Sequence, residues 1–292
     1  MDHLMTALNV TPFEPASFLL LGIPGLEAAH LWASIPFSLC LIISLLGNVV
    51  ILFLVGKEQT LHKPMYLLLC ILALTDIATS TLVVPKALCI FWFNLKGFSF
   101  GACLTQMFFL HTLSATQSGI LVAMAFDRYI AICNPLRYTT LLSNARIAQL
   151  GLVSLLRALV YTVPMPLLLR GLPFCTNHII PHTYCEYMAV AKLSCGDITV
   201  IRLHGLVITI FNVGLDVSLI VLSYTHICVL LLFWIPSIFT VMTHRFGQGI
   251  APHVHIILAN FHLLLPPMLN PIIYGIKTKE LRDKVVKYTD KE

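Results

Sequence analysis

The residues with the clearest chemical potential in this sequence are Asp127 and Arg128, side by side at the end of a long apolar stretch. Ionisable residues at membrane depth are costly, and those that occur there are usually functional. Where an apolar helix meets water, the two opposite charges can neutralise each other. The pair can also open when a partner offers either charge a better contact, so it indicates a reversible switch.

A second polar group lies on the same stretch, closer to its start. Its members recur at spacings of three, four and seven, which predicts one interior helix face bearing His111, Ser114, Ala115 and Ser118. His111 lies 17 residues before Arg128, which is about 25 Å along a helix axis. A lone helical histidine is more often a satisfied structural residue than a ligand contact. The separation nevertheless suits a ligand site near one membrane surface and a readout near the other.

The composition indicates that these residues sit inside a membrane protein. Hydrophobic residues make up 58% of the 292 residues, charged residues make up 11%, and the mean hydropathy is +0.89. A soluble domain carries about 25% charged residues, so this chain has too few to cover a surface that faces water. The apolar residues form long blocks, which favours helical spans over the alternating strands of a β-barrel.

The apolar blocks predict an all-α integral membrane protein, a bundle of seven transmembrane helices. With bounds uncertain by about four residues, the seven helices are predicted at 30–55, 64–93, 101–133, 147–169, 199–227, 228–243 and 251–275. Residues 1–29 form the N-terminal segment and residues 276–292 form a cytoplasmic helix and tail. This eighth helix, predicted at 278–288, is amphipathic, and its basic residues can reach lipid phosphates.

The distribution of basic residues predicts the orientation. Residues 1–29 contain no Lys or Arg, whereas Lys57, Lys63, Arg137 and Arg146 follow helices one and three and six more follow helix seven. The N-terminus is therefore expected outside the cell, with helix one as its own insertion signal. The sequon at Asn9 lies on the same side and predicts glycosylation there. We expect a multi-pass plasma-membrane protein.

The connection between helices five and six is too short for two separate spans. Residues 199–243 run for 45 residues without a turn signal, whereas one span needs about 20 residues. Antiparallel helices also need a connecting loop of about 2–8 residues. We therefore predict that a connecting segment is missing from this sequence near Ile227-Cys228.

The nine cysteines divide between two environments. Cys103 begins helix three, and Cys175, Cys185 and Cys195 lie in the predicted outer loop at 170–198, an oxidising location. Four cysteines allow three pairings, and the sequence alone does not choose among them. The remaining cysteines are expected to be unpaired and to pack as small apolar residues: Cys40, Cys70, Cys89, Cys133 and Cys228.

The motifs and their order resemble odorant receptors, a branch of the seven-helix G-protein-coupled receptors. The resemblance covers nearly the whole chain. Its motifs are Gly47-Asn48, Leu61-His62-Lys63-Pro64-Met65-Tyr66, Asp76, the run from Met124 to Tyr138, Ser223-Tyr224, and the run from Pro266 to Gly275. Such receptors also have a basic third cytoplasmic loop followed by a Lys-Ala-Ser-Thr-Cys run, which this chain lacks.

Two further motifs resemble the fish-like class I subgroup, many of whose members respond to carboxylic acids. They are Ile23-Pro24-Gly25-Leu26 and His244-Arg245-Phe246-Gly247. The resemblance implies that Arg245 binds an anionic ligand, since a guanidinium matches a carboxylate bidentately. The alternative is an interfacial arginine that reaches lipid phosphate. The implied ligand site consists of Arg245, His111, Ser114, Ala115, Met188, Gly205, Thr209, Ser237 and Val241.

The resemblance also implies an activation switch that opens a cleft for a stimulatory heterotrimeric G protein. The residues implied are Asp127, Arg128, Tyr129, Tyr224, Trp234, Asn270, Pro271 and Tyr274, although the family usually has Tyr where this chain has Trp234. Pro271 donates no backbone hydrogen bond and so loosens helix seven locally. Independently, the polar Asn48, Asp76 and Asn270 lie in apolar spans and are expected to meet inside the bundle.

The resemblance implies a disulfide between Cys103 and Cys185, which leaves Cys175 and Cys195 for a second one. The loop motif from His182 to Glu186 could in principle bind a metal, but a disulfide would consume the thiolate that a metal needs. We therefore expect no metal, no cofactor and no nucleic-acid partner; the expected partners are the lipid bilayer, an odorant and the G protein.

Gln117 departs from the family pattern. It lies 11 residues before Arg128, about three helical turns, and should face Asp76. Related receptors commonly have Glu there, and two carboxylates can hold a sodium ion, whereas an amide supplies oxygen without charge. Sodium should therefore stabilise the resting state less, a departure that would suit an engineered or consensus variant.

Two other function classes compete with a receptor. A transporter would show inverted repeats, paired broken helices or several charges at the membrane midplane, whereas this chain has one long cysteine-bearing loop. A membrane enzyme would need a converging catalytic set, and His253 and His255 point to different faces of a helix. A receptor for another small ligand remains the alternative within the favoured class.

Overall fold

The computed structural model describes residues 17–133, 143–174, 178–223, 260, 264 and 267–272. Within these residues, five helices are long and apolar enough to cross a membrane: His30–Lys57, Pro64–Phe93, Phe100–Arg128, Asn144–Arg170 and Thr199–Leu219. They correspond to the first five predicted spans, and the helical bundle confirms the predicted fold class. Residues 267–272 are helical within predicted helix seven. The predictions for 228–243, for 278–288 and for the junction at Ile227-Cys228 lie outside the described residues.

The bounds of the first five helices follow from local sequence signals. Helix one is His30–Lys57, helix two is Pro64–Phe93 and helix three is Phe100–Cys133. Helix two begins with proline at its first turn, where no backbone donor is needed, and ends at Asn94 in the left-handed conformation with φ of 55°. Helix four begins after Ser143, whose side chain accepts a hydrogen bond from the Arg146 amide.

Helices four and five each depart from a regular α-helix. Helix four runs from Asn144 to Thr162 and resumes as Pro164–Arg170, because Pro164 donates no backbone hydrogen bond. Helix five consists of α-helix Thr199–Ile208, π-helix Thr209–Gly214 and α-helix Leu215–Ser223. Short helical turns at Glu27–Ala29 and Gln59–Leu61 and a loop helix at Tyr187–Ala191 complete the helical elements of the described residues.

Side chains are distributed as expected for a protein whose solvent is lipid. Large apolar residues point outward along helix one, for example Trp32, which is 74% exposed, and Leu46. Polar and ionisable side chains are instead buried among the helices, including Asp76, Asp127 and Asp216. The apolar surface needs no polar cover in hydrocarbon, whereas each buried polar group needs a partner inside the bundle.

A three-stranded sheet covers one end of the bundle, and the sequence patterns did not predict it. Strand Ser17–Leu20 lies in the centre, antiparallel to Gly97–Ser99 and parallel to Ile179–Ile180. Phe18 and Leu20 on this strand are fully buried. We call this end the N-terminal face and the other end the opposite face. Part of the N-terminal segment is therefore a packed structural element of the bundle.

The loop between helices four and five is fixed to helix three by the predicted Cys103–Cys185 disulfide, whose sulfurs are 2.05 Å apart. Cys195 is also disulfide-bonded. Its predicted partner Cys175 lies outside the described residues, so that pairing stays a prediction. Cys40, Cys70 and Cys89 carry free thiols, as predicted.

Helices one and seven approach closely at Gly47. A Cβ atom built on Gly47 would lie only 2.6 Å from the Cβ atom of Pro271. One residue on, the Asn48 side chain donates to the backbone carbonyls of Ser44 and Pro267 at 2.8 and 3.1 Å. The Gly47-Asn48 pair thus combines the small residue that permits contact with the amide that bridges the two helices.

We predict that Gly47→Ala destabilises the protein, because the new methyl group would overlap Pro271. Overpacking of this kind costs about 1–3 kcal/mol. The melting temperature of the purified protein and the amount at the cell surface should both fall. Gly56→Ala is the matched control, because that helix-one glycine has no neighbour within 4 Å of its built Cβ. Equal stability of the two variants would contradict the close approach.

Candidate functional site

Aromatic and histidine side chains from three elements converge near the N-terminal face. Tyr187 of the loop helix lies between His111 of helix three and His204 of helix five, with ring centroids 6.4 and 6.1 Å away. The Tyr187 hydroxyl is 3.3 Å from His204 Nδ1. A Cβ atom built on Gly205 would lie 3.8 Å from the Tyr187 ring. The predicted residues His111 and Gly205 therefore lie beside a tyrosine and a histidine that sequence analysis missed.

The hydrogen bond of His111 fixes what its ring offers to a ligand. Its Nδ1 atom is 2.9 Å from the backbone carbonyl oxygen of Met107. That oxygen can only accept, so Nδ1 carries the proton. A neutral ring then presents Nε2 as an acceptor, whereas a charged ring presents a second donor. His111 can therefore accept from a hydroxyl or, once charged, donate to a carboxylate.

The other predicted ligand residues of the described part occupy the same region. Met188 follows Tyr187 in the loop helix and packs against the core cluster of the N-terminal face. Thr209, the first residue of the π-helix, donates its hydroxyl to the Gly205 carbonyl at 2.8 Å. On helix three, Ala115 is buried and Ser114 is partly buried.

The loop that supplies Tyr187 is held by polar contacts as well as by the disulfide. Gln106 of helix three accepts from the Cys185 amide at 3.1 Å and donates to the Leu82 carbonyl at 2.9 Å. Glu186 caps the loop helix by accepting from the Ala189 amide. Burial raises the pKa of the Tyr187 phenol far above its usual range, so the hydroxyl stays protonated. The site wall is thus neutral and fixed at this point.

Farther along helix three, Asp76 meets two amide side chains. Gln117 Nε2 donates to one carboxylate oxygen of Asp76 at 2.9 Å, and Asn270 Nδ2 donates to the other at 2.9 Å. Gln117 also lies 3.4 Å from the Thr79 hydroxyl. Helices two, three and seven are therefore joined by one buried carboxylate. The expected meeting of Asp76 and Asn270 occurs, whereas the Asn48 amide reaches the Pro267 backbone rather than their side chains.

A second buried carboxylate, Asp216 of helix five, was missed by sequence analysis. Arg157 of helix four contacts it bidentately at 2.6 and 2.7 Å, and the Ser118 hydroxyl donates to it. The Asp216 side chain is 0% exposed. The signal for this site was present, because ionisable residues inside apolar spans are rare and usually paired. Ser118, expected on the ligand face, instead serves this ion pair.

The Asp127–Arg128 pair lies near the opposite face. Arg128 Nε is 3.9 Å from Asp127 Oδ2, and Arg128 is 41% exposed while Asp127 is buried. This contact is looser than the bidentate pair at Asp216. Helix three is continuous from Phe100 to Cys133, so it connects His111 directly to this pair.

Several predicted residues lie outside the described part of the chain, and their roles stay predictions. They are Arg245, Ser237 and Val241 of the ligand site, Tyr224, Trp234 and Tyr274 of the switch, Cys175, Asn9, and the side chain of Tyr129. Among the residues that the structure does describe, no group of three or more His, Cys, Asp or Glu side chains could hold a metal ion.

Comparisons with known proteins agree with this architecture. The sequence model of the family described as Olfactory receptor matches residues 37–227 and 225–291. Human olfactory receptor 52D1 is 46% identical over 298 positions, covering 94% of this chain and 94% of the relative. Human olfactory receptor 52B2 is 47% identical over 305 positions, covering 96% and 94%. The squid rhodopsin crystal structure matches with a TM-score of 0.73 at 16% identity, covering 91% of this chain and 81% of that one.

The family match extends over most of the chain, and the similarity to squid rhodopsin shows the fold. Receptors of this family and fold are multi-pass membrane proteins and are not enzymes. The interior arrangement fits them, with polar side chains near one face joined by one helix to a charged pair near the other. The chain belongs to the olfactory receptor family and has the fold of rhodopsin-like G-protein-coupled receptors.

Proposed function

We propose that this chain is a class I odorant receptor of the plasma membrane, with its N-terminus outside the cell. It binds a small carboxylic acid among helices three, five and six and the long loop, and activates a stimulatory heterotrimeric G protein. The observation that carries the proposal is the cluster of His111, Tyr187 and His204 at the N-terminal face. This cluster joins helix three to helix five and to the loop, so a ligand bound there would contact all three.

The hydrogen bond of His111 implies that a carboxylate ligand needs a cation in addition to this histidine. With Nδ1 bonded to Met107, a neutral His111 presents only an acceptor, which would repel a carboxylate. A permanently charged guanidinium supplies the missing attraction. Arg245 is the proposed source, because the resemblance to class I receptors puts it beside the ligand. A carboxylate bound there would leave its apolar tail for the wall formed by Tyr187, Met188 and Gly205.

The same geometry favours a second candidate ligand class, a small alcohol. A hydroxyl group can donate to the Nε2 atom of neutral His111 without any change of charge. An alcohol would then depend on His111 and hardly on Arg245. The acid should depend mainly on Arg245 and the alcohol mainly on His111, so substitution of these two residues separates the two ligand classes.

The charge contacts suggest how binding is transmitted. The Asp127–Arg128 contact of 3.9 Å is single and partly exposed, whereas the Arg157–Asp216 contact of 2.6 Å is bidentate and buried. The former is therefore the pair that a G protein can open more readily. Inward movement of Tyr224 and Tyr274 near Arg128, allowed by the proline at 271, completes the proposed switch, and Trp234 is its proposed packing residue on helix six.

The arrangement around Asp76 supports the proposal that sodium has little effect on this receptor. Both carboxylate oxygens already accept an amide hydrogen, from Gln117 and from Asn270. A sodium ion would have to share these oxygens with two amide donors, and it would find only one negative charge. The neutral amide of Gln117 thus joins helix three to Asp76 directly, whereas a glutamate at this position would need a cation between the two carboxylates.

We also propose that the chain lacks a connecting segment between helices five and six. The family match is divided into two parts that meet at residues 225–227. The alignment to olfactory receptor 52B2 runs over 305 positions but uses 96% of the 292 residues, so about 25 positions have no counterpart here. The division of the family match supports a missing segment near Ile227-Cys228, and the alignment length supports a segment of up to about 25 residues. We propose that the chain still binds odorant but activates the G protein less.

The first prediction concerns the acid anchor. Arg245→Ala should reduce the potency of a medium-chain acid roughly 10- to 100-fold, since a charge-assisted contact contributes about 1.5–3 kcal/mol. The matching alcohol should change little. His111→Ala should weaken the acid more modestly. The measurement is a dose–response for the acid and its alcohol at equal surface receptor, with the connecting segment restored as described below.

Arg170→Ala is the matched control, because Arg170 is an exposed arginine at the end of helix four on the N-terminal face. It should keep the acid preference. Potency should rise with chain length by up to about 0.8 kcal/mol per buried methylene and fall where overpacking begins. If the acid remains more potent than its alcohol in the Arg245→Ala variant, another residue is the anchor for the carboxylate. An alcohol that outperforms its acid in the parent would favour the second ligand class.

The second prediction concerns sodium. Gln117→Glu places a second carboxylate beside Asp76, and a cation can then neutralise both. Raising sodium should increase the agonist concentration needed by this variant roughly fivefold or more, the lower end of usual coupling between two sites. The parent should hardly respond. The double variant Asp76→Asn with Gln117→Glu has one carboxylate and should lose the sodium effect. Equal sodium sensitivity of parent and Gln117→Glu would contradict this account.

The third prediction concerns the connecting segment. Inserting the corresponding segment of olfactory receptor 52D1 near Ile227-Cys228 should raise agonist-driven cyclic AMP production while leaving odorant binding unchanged. The reason is that two antiparallel helices need a loop of about 2–8 residues between them. A Gly-Ser insert of equal length separates the effect of length from that of sequence. If the parent chain without an insert produced as much cyclic AMP as the variant with the inserted segment, the proposal would be refuted.

A further inference from the structure

The register of helix five, which decides which residues face lipid, changes part-way along its length. Leu203 and Leu219 are 58% and 39% exposed, so both face the surface of the bundle. They are separated by 16 residues, a rotation of about 160° on a continuous α-helix that turns about 100° per residue. On such a helix they would point in nearly opposite directions. The extra residue of the π-helix Thr209–Gly214 removes about 100° of this rotation, so the two exposed side chains are expected only about 60° apart.

The same change of register appears on the inner side. In the first part of the helix, Ile201 is buried and Ile208 packs against the core of the N-terminal face. A regular α-helix would continue this inner face through Leu215 and Leu219, yet Leu215 is exposed. After the π-helix the inner residues are Asp216, which is fully buried, and Val217. The inner face has moved by about one residue.

A π-helix is rare and occurs mostly at functional sites, so some interaction must favour it here over a continuous α-helix. Asp216, two residues beyond its end, supplies one. Without the extra residue, Asp216 would turn by about 100° away from Ser118 and Arg157. An unpaired carboxylate at membrane depth is strongly disfavoured. The need to pair this carboxylate therefore opposes relaxation of the π-helix.

The partners of Asp216 are held in place by close packing of helices three and four. A Cβ atom built on Gly119 would lie 2.6 Å from Ser154 Oγ and 3.3 Å from Arg157 Nη2. The glycine thus lets the guanidinium approach helix three beside Ser118. The bidentate contact at 2.6 and 2.7 Å then fixes the direction as well as the distance of Asp216.

We propose that Asp216, held by Arg157 and Ser118, is a positioning residue that fixes the register of helix five. Buried ion pairs often add little net stability but can select one arrangement among several. By this means the pair determines which helix-five residues face the interior on each side of the π-helix. That Gly205 and Thr209 consequently face the odorant rests on the proposed function; the register itself does not.

The test compares two positions without using any odorant. Nitroxide labels are placed singly at Leu203 and Leu219, in a background whose unpaired cysteines are replaced by alanine. Collision with oxygen, which concentrates in hydrocarbon, reports whether each label faces lipid. In the parent both labels should be accessible. In the double variant Arg157→Met with Asp216→Leu, which removes both charges together, one label should fall to the accessibility of an interior label at Val213.

The matched control is Thr112→Val with Thr162→Val, which removes a buried hydroxyl pair joining helices three and four at 2.8 Å and leaves helix five untouched. Both labels should stay accessible in the control. If they also stay accessible in the charge-free variant, Asp216 does not set the register and the proposal is overturned. The result is independent of the ligand, so failure of the carboxylic-acid proposal would leave it intact.

Arg157→Lys provides a second route if the charge-free variant does not fold. Lysine keeps the positive charge but cannot contact both carboxylate oxygens in the planar bidentate geometry of arginine. A partial loss of oxygen accessibility at one of the two labels would support the proposal. Parent-like accessibility at both labels would show that bidentate geometry is unnecessary and would overturn it.

Discussion

Two buried carboxylates, which must find hydrogen-bond partners within the protein, determine how the helices pack in the middle of this bundle. Asp76 and Asp216 are both fully buried, and an ionised group in hydrocarbon persists only with partners. Adjacent residues of helix three, Gln117 and Ser118, donate to one carboxylate each. Because neighbouring helical residues point about 100° apart, helix three can serve helix two on one side and helix five on the other.

This layer lies between the proposed ligand region and the proposed G-protein region. Toward the N-terminal face, the loop helix and helix five meet at Tyr187 and His204 through ring contacts and one long hydrogen bond of 3.3 Å. Beyond it lies the single contact between Asp127 and Arg128. The contact between the loop helix and helix five and the contact between Asp127 and Arg128 are weak, whereas those in the middle are strong. This suits a molecule in which these two contacts change while the centre keeps the helices in register.

The features that the sequence predicted are those with local or compositional signals. Long apolar blocks predicted the five described spans, and the resemblance predicted the Cys103–Cys185 bond and the approach of Gln117 to Asp76. The three-stranded sheet was missed because strands of two to four residues show no periodicity. Arg157 and Asp216 could each have been noticed as ionisable residues in apolar spans, but their pairing could not be predicted, because it depends on a π-helix, which has no comparable sequence pattern. The ligand wall was predicted in part, since Tyr187 and His204 belong to a loop and a helix whose contact is tertiary.

The central strand of the sheet has a consequence for biosynthesis. Leu19 pairs with Gly97 and Ile179, so its second partner is translated 160 residues later. At about 5–20 residues per second, this interval is roughly 10–30 s. During it Phe18 and Leu20, which end fully buried, have no finished surface to cover them. The beginning of the chain is therefore among the last parts to reach its final place, and its apolar residues are a natural target for a chaperone until the loop arrives.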